Sequence, residues 1–543
     1  MYVASEISGL DPALAFDESS LIVINQTYET LFEYHYLKRP YGLTPLLAAK
    51  MPLISLDRKT YTIELKKGIY YHDHPSFKGK KREMKAEDFI NQIKRLAFAP
   101  LKSTGKSLFQ GKIKGFDEFS EIVGSNFSLF FSTPITGLKV KNDYLLEIEL
   151  NVPYPQLLYA LAMSFVTPLP KEAIIYQKND FDQTMVGTGP FVLNYQTNLS
   201  EFLFKRNPDY AKTSFPAAGD RVSHTKKLLD DSGKFLPLAD ELSIKVKPNE
   251  KERWQAFLDK KIDLIEVPQI YINESVHASG KLKRKYRKEG ISLQVYPSFS
   301  GRWLAFNMND PLLGKNVKLR KAIAYALNYD NYINMLTQRV AQRANSLLFP
   351  GVPGYDPTHK SKYNFNPDRA KILLAEAGFP DGKGLPIITY TTRGNNQKAI
   401  NEAKFLVDSL APFGIKIKIN EVTFSEFLTL GRAGKLQFWT DGWIFDYPDA
   451  ENLLQLLVSK NSPGVNKTGY KNTEVDQLYD QMLYESNLEN KKITIKKIES
   501  IVEQDLPWIM IYYNRSYFMA HHHLKNFRYS SFIRNYVKYL NVR

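Results

Sequence analysis

The sequence predicts a mixed α/β protein built from several domains, and three observations carry that expectation. Segments with apolar residues at helical spacing interleave along the whole chain with segments of alternating or continuous apolar character. The 543 residues exceed what one hydrophobic core serves, and at ~150 residues per domain they point to roughly three or four units. No segment recurs at a fixed period, which sets solenoids and propellers aside.

Taken in order, residues 21–32 (LIVINQTYETLF) carry the helical pattern, and 86–96, 317–329, 369–377 and 398–413 repeat it. Strands are expected at 61–65, 144–150, 242–246, 292–295, 387–391 and 415–422, where β-branched and aromatic residues concentrate. Clusters of Pro, Gly and Asn at 38–43, 151–156, 187–190, 349–357 and 378–386 break these patterns and read as connections. The sharpest is Gly187-Thr188-Gly189-Pro190, where two glycines free the backbone before a proline fixes it. Neither a Walker lysine nor dinucleotide spacing follows, so a phosphate cradle is not expected there.

Composition narrows the function classes. Hydrophobic residues at 43% and charged residues at 24% describe a globular chain. Tyr and Phe, 33 of each, supply rigid surface for cores and ligand clefts alike. The formal charge of +16 raises the question of nucleic acid. Basic residues are scattered or in short groups such as 78–82 and 283–288, without the stripe that tracks phosphates, so no nucleic-acid partner is expected. The absence of cysteine excludes disulfides, thiolate catalysis and cysteine zinc sites. No run of 18 apolar residues occurs, and residues 1–11 lack a charged segment leading into an apolar one, so neither a membrane span nor a signal peptide is expected in this stretch.

Nucleophile elbows, HExxH and Walker sequences are absent, leaving catalysis without an evident seat. His72 and His74 flank Asp73 in a spacing that suits either a metal pair or, more simply, a surface turn, and His521, His522 and His523 invite the same question. The most informative stretch is 438–457, FWTDGWIFDYPDAENLLQLL, which reads as a strand, a proline turn and a helix begun near Asp449. Asp446 follows Trp443, Ile444 and Phe445, placing a carboxylate against aromatic surface, where an unpaired charge is costly. It is either a capping or salt-bridging aspartate or a receptor for an ammonium group.

With these residues in view, the chain resembles the oligopeptide-, dipeptide- and nickel-binding receptors of ABC transporters, solute-binding family 5, over nearly its whole length. The opening ISGLDPALAFDESSLIVINQTYETLFEY, then YTIELKKGIYYHDH, MKAEDFINQIKRL, GTGPFVL with FKRNPDY, VKLRKAIAYALNYDNYI, and FDYPDAENLLQLL with SPGVNKTGYKNTEVDQLYD follow the family's motifs in order. The resemblance implies a two-lobed periplasmic-binding-protein type II fold with an extra domain inserted in the first lobe. That places the first lobe at 1–42, 160–267 and 506–543, the inserted domain at 43–159 and the second lobe at 268–505, with crossings near 266–269 and 505–507.

It further implies a monomeric, non-enzymatic receptor outside the cytoplasm, either periplasmic or tethered there as a lipoprotein, that takes a short peptide without cofactor or metal and hands it to a membrane permease. In peptide-binding members the aspartate of the FDYPD-like motif receives the ligand's α-ammonium, and Asp446 is the match. By the two-residue period of a strand, Gly442, Ile444 and Asp446 share an orientation, with main chain available to an extended peptide. A second edge near Ser20 to Ile22 is expected on the other side of the ligand, with Trp443 and Tyr447 as pocket walls. Some oligopeptide binders carry an arginine shortly before the Gly-Trp pair to meet the ligand carboxylate. Thr440 and Asp441 stand here instead, and Arg432 or Lys435 is the candidate substitute. The rival readings are a nickel chelate, oligosaccharide or opine bound by the same fold, and a hydrolase using Asp446 with Asp449.

Overall fold

A computed structural model describes residues 1–178, 180–182, 184–210, 213–277, 279–338 and 340–543. The chain forms two compact units, the first comprising Met1–Glu266, Arg284–Leu293 and Phe518–Arg543, the second Val267–Lys283 and Gln294–Tyr517. Both termini therefore belong to the first unit.

The first unit holds two four-stranded sheets. One runs Tyr2–Val3, Glu241–Val246, Glu201–Arg206 and Phe191–Thr197, parallel at its first pair and antiparallel thereafter. The other is antiparallel, in the order Leu53–Ile54, Thr60–Glu64, Leu145–Glu149 and Leu138–Asn142. Along Thr60–Glu64 the buried side chains are Tyr61 and Ile63, the alternation of a strand with one wet face. Gly187 and Gly189 are glycines because the Thr27 carbonyl lies where a side chain would begin.

Buried charges tie distant segments of this unit together. Arg95 grips Asp11 bidentately, at 2.9 and 2.5 Å, with both side chains buried. The fully buried Lys538 reaches Glu33 at 2.8 Å, and Arg528 reaches Asp220 at 2.5 Å. His72 and His74 are buried as well, which corrects the surface-turn reading. His72 Nε2 bonds the Gly189 carbonyl at 2.9 Å and His74 Nδ1 bonds Ser76 Oγ at 2.7 Å. Burial pushes the His72 imidazole down to about 4, so the ring is neutral. Among the described residues no group of three His, Asp or Glu side chains is arranged to hold a metal, and no helix is long and apolar enough to cross a membrane.

The second unit is organised on the strand Phe438–Ile444. It runs antiparallel to the long strand Ile291–Phe306 and parallel to Ile388–Thr391, which in turn pairs with Ile417–Asn420 at the edge. The core lies between this sheet and the helices Val317–Ala326, Tyr329–Thr337, Pro367–Glu376 and Gln397–Leu410. Leu304, Phe306, Ile323, Tyr390, Leu406 and Phe438 are all fully buried in it. Asparagine begins six of this unit's described helices: Asn316, Asn328, Asn366, Asn396, Asn472 and Asn487 each accept a main-chain N–H of the first turn. The last of these helices, Leu488–Asp505, ends at Leu506 in the left-handed conformation.

Candidate functional site

The strand Phe438–Ile444 is paired unequally on its two sides. Gly301, Arg302, Trp303 and their neighbours accompany it along its whole length, whereas Ile388–Thr391 pairs only with Phe438 and Trp439. The Phe445 N–H donates to the Phe299 carbonyl at 3.0 Å, which fixes the phase of the strand. Main-chain groups alternate in direction along an antiparallel pair, so residues 441, 443 and 445 face the long strand while 440, 442 and 444 face the opposite edge. Among the described residues no strand covers that edge beyond Thr391. Gly442 and Ile444, expected from their spacing to share an orientation, lie on it, with Ile444 largely exposed. The Gly442 N–H is met by its neighbour's carboxylate, Asp441 Oδ1, at 2.9 Å.

After Ile444 the chain enters the Pro448 turn, and Asn452 organises it. Asn452 Oδ1 accepts from Trp443 Nε1 at 2.8 Å and from the Asp446 N–H at 3.1 Å, while its Nδ2 donates to Asp446 Oδ2 at 3.2 Å. Trp443 and Asp446 are thus held by one side chain. The Asp446 residue is solvent-accessible, yet the surrounding protein desolvates its carboxyl enough to raise its pKa above the ordinary aspartate value, with the Asn452 bond opposing the rise. Among the described residues no lysine or arginine forms an ion pair with Asp446. The other carboxylates of the segment are committed: Asp449 to Lys491 at 2.7 Å, Asp441 to Lys467 at 2.9 Å and to Arg393 at 3.5 Å. Tyr447 is buried, its hydroxyl donating to Glu451 Oε2 at 2.5 Å.

A basic group that the sequence did not disclose stands beside this edge. Gly442 has no side chain, and Arg302, its partner across the sheet, fills the space: a Cβ at 442 would lie 2.9 Å from the Arg302 Cδ and 3.3 Å from its Nε. Arg393 is held below its usual pKa, first by desolvation and then by repulsion from Arg302. The Lys398 ammonium is lowered by the same two causes, although the residue itself is exposed. Against these cations stand Asp441, already met by Lys467, and the buried Glu402. Burial raises the Glu402 carboxyl, which accepts from the Tyr332 hydroxyl at 2.5 Å. An anion brought to Arg302, Arg393 and Lys398 relieves their mutual repulsion. The only trace in the sequence is a lone arginine inside one strand, in SGRWLAF, and another just past the end of a strand, in TYTTRG.

One expectation changes. Ser20 and Ile22 offer no sheet edge, because they lie inside the helix Glu18–Ile24. Asp17 caps that helix by accepting the Ser20 N–H at 2.8 Å, the Ile22 carbonyl accepts from Gln26 Nε2 at 2.7 Å, and Ser20 Oγ accepts the Ser8 N–H at 2.9 Å. A helix spends its main-chain groups on itself. Arg432 is exposed in the last turn of the helix Phe424–Arg432, and Lys435 just beyond it is exposed too.

A two-unit α/β chain with an uncovered strand edge, an accessible unpaired carboxylate and a nearby excess of cations has the parts of a solute receptor. The family model for bacterial extracellular solute-binding proteins, family 5 (middle), matches residues 42–464, and the chain belongs to that family. It is 25% identical over 471 residues to the dipeptide-binding protein of Escherichia coli K12, covering 85% of this chain and 79% of that one. To the heme-binding protein A of Haemophilus influenzae it is 24% identical over 516 residues, 93% of this chain and 84% of the other. Among solved structures, the periplasmic binding protein DppA of Helicobacter pylori in complex with the peptide STSA superposes with a TM-score of 0.69 at 23% identity, covering 100% of this chain and 97% of that chain. The fold is the two-lobed one of this family.

Proposed function

We propose that this chain is an extracytoplasmic receptor that holds a short peptide without cleaving it and delivers it to an ABC permease. The observation that carries the reading is Asp446: accessible, desolvated, without an ion-pair partner among the described residues, and placed just past the uncovered edge of Phe438–Ile444. A protonated amino terminus supplies the missing cation. The peptide main chain then runs along residues 440–444 in the manner of an added strand, which recognises backbone and ignores most side-chain identity. Arg302, Arg393 and Lys398 take the ligand's carboxylate, a role for which Arg432 and Lys435 were the candidates from sequence. Trp443 forms a wall of the site. The dipeptide-binding relative and the peptide-bound neighbour support a peptide over a sugar or chelate, and the inserted domain placed at 43–159 accords with the separate sheet spanning residues 53–149. The commitment of Asp449 to Lys491 speaks against a paired-carboxylate hydrolase.

Native mass spectrometry of the purified protein identifies the co-purified ligand, and titration calorimetry then measures it. A charge-assisted contact is worth roughly 1.5–3 kcal/mol, so Asp446→Asn is expected to weaken peptide binding ~10-fold or more. Unchanged affinity removes Asp446 from this role. A retained heme or sugar overturns the peptide reading, and release of free amino acids from a bound peptide overturns the non-enzymatic one.

A further inference from the structure

The hairpin at residues 51–60 carries side chains that folding does not explain. Leu53–Ile54 is an edge strand of the second sheet in the first unit, and both of its residues are exposed. Exposure reaches 40% at Met51, 66% at Leu53, 47% at Ile54 and is complete at Leu56. Leu53 pairs with Thr62 and Ile54 with Tyr61, so the two point to opposite faces of the hairpin while Leu56 occupies its tip. The tip is well ordered by its own bonds: the Ser55 N–H donates to the Thr60 carbonyl at 2.9 Å, the Arg58 N–H to the Ser55 carbonyl at 2.9 Å, and Asp57 Oδ1 accepts from Lys59 N at 3.1 Å. Edge strands are ordinarily protected by charge or proline in the strand itself. Here the charge lies around the apolar residues, with Lys50, Arg58 and Lys59 against Asp57 and Glu64, and Glu64 is already paired with Lys50 at 2.8 Å.

We propose that this hairpin docks on an anionic phospholipid bilayer, its apolar side chains entering the headgroup region and its basic collar meeting lipid phosphates. The geometry selects the occupant. A protein surface approaches from one side and leaves the apolar residue on the far face wet, whereas a fluid interface envelops both faces and the tip together. The basic collar and the net charge of +16 complement an anionic surface.

The test is flotation of the full chain with phosphatidylglycerol and with phosphatidylcholine vesicles. The wild type is expected to partition at least about tenfold more strongly onto the anionic vesicles. The combined Leu53→Ser, Ile54→Ser and Leu56→Ser variant is expected to lose most of that binding, and Arg58→Glu with Lys59→Glu to lose the lipid preference. Because the chain has no cysteine, Leu56→Cys provides a single labelling site at an exposed position, and a polarity-sensitive dye there is expected to shift to the blue on anionic vesicles. Absence of wild-type flotation, flotation undiminished in the serine variant, equal binding to both lipids, or an unshifted dye each overturns the proposal. So does a wild-type dimer in solution that the serine variant dissolves without any vesicle binding, which assigns the hairpin to a second copy of the chain.

Discussion

Single side chains at the site have titration behaviour that separates their roles. In the free protein the Asp446 carboxyl sits above the ordinary aspartate value because it is desolvated. An ammonium bound beside it favours the charged form and lowers the pKa in the complex. With Asp446 as the proposed ammonium receptor, peptide affinity is expected to be flat at neutral pH and to fall as the pH drops through the free-protein pKa, with a proton released on binding in that window. Calorimetry in buffers of different ionisation enthalpy reads that proton, and Asp446→Asn is expected to abolish it. Glu499 presents the complementary case, a carboxylate used for structure. Burial pushes it up to about 7, although Oε1 accepts the N–H groups of Leu347 and Leu348 at 3.1 and 3.2 Å. A raised carboxyl pKa means that the folded state holds the proton longer than the unfolded chain. Its burdened charged form costs stability as pH rises from about 4.5 to 7, by roughly 3 kcal/mol in full. Glu499→Gln keeps the acceptor and removes the charge, so its melting temperature is expected to exceed the wild type's at pH 8 and to match it at pH 5.

Elements bring such residues together, and here the register of one sheet does most of it. Gly442 stands opposite Arg302, and a Cβ at that position would lie 2.6 Å from the Gly301 carbonyl as well as against the Arg302 side chain. Gly442→Ala is expected to cost about 1–3 kcal/mol in stability and to weaken binding of a peptide with a free carboxylate more than one with an amidated end. Thermal melts and paired titrations check both. Much at this scale was legible beforehand. The helices at 86–96, 369–377 and 398–413 emerge as Ala86–Ala97, Pro367–Glu376 and Gln397–Leu410. Strong periodicity marks all three, and asparagine caps at Asn366 and Asn396 mark where the last two begin. The pattern at 21–32 misled, because Asp17 starts the helix earlier and the chain turns after Ile24 to set the Thr27 carbonyl against Gly187 and Gly189. The long strand Ile291–Phe306 showed only its first residues, since Gln294, Ser298, Ser300 and Arg302 interrupt its apolar pattern. Asp446 could be singled out because its motif is contiguous. Arg302, Arg393 and Lys398 could not, because they come from a strand, a connection and a helix far apart in sequence, and only the fold brings them near one another.

Across the whole molecule, stability rests on charges far apart in sequence. Lys538 is buried against Glu33, and opposing charges raise its pKa despite burial. Lys538→Met leaves Glu33 and the nearby buried Glu29 without their ammonium, and is expected to destabilise the first unit by roughly 3–5 kcal/mol, read as a fall in its melting temperature. The fold class followed from the interleaved patterns and the family motifs, while the pairing of the first and last segments lay beyond any local pattern.

The membership of both termini in the first unit bears on how the chain is made. Residues 294–517 are synthesised before Arg528 and Lys538 exist to answer Asp220 and Glu33. During synthesis the first unit is thus completed only after the second has been made, and Asp220 and Glu33 wait, hydrated, until residues 518–543 arrive.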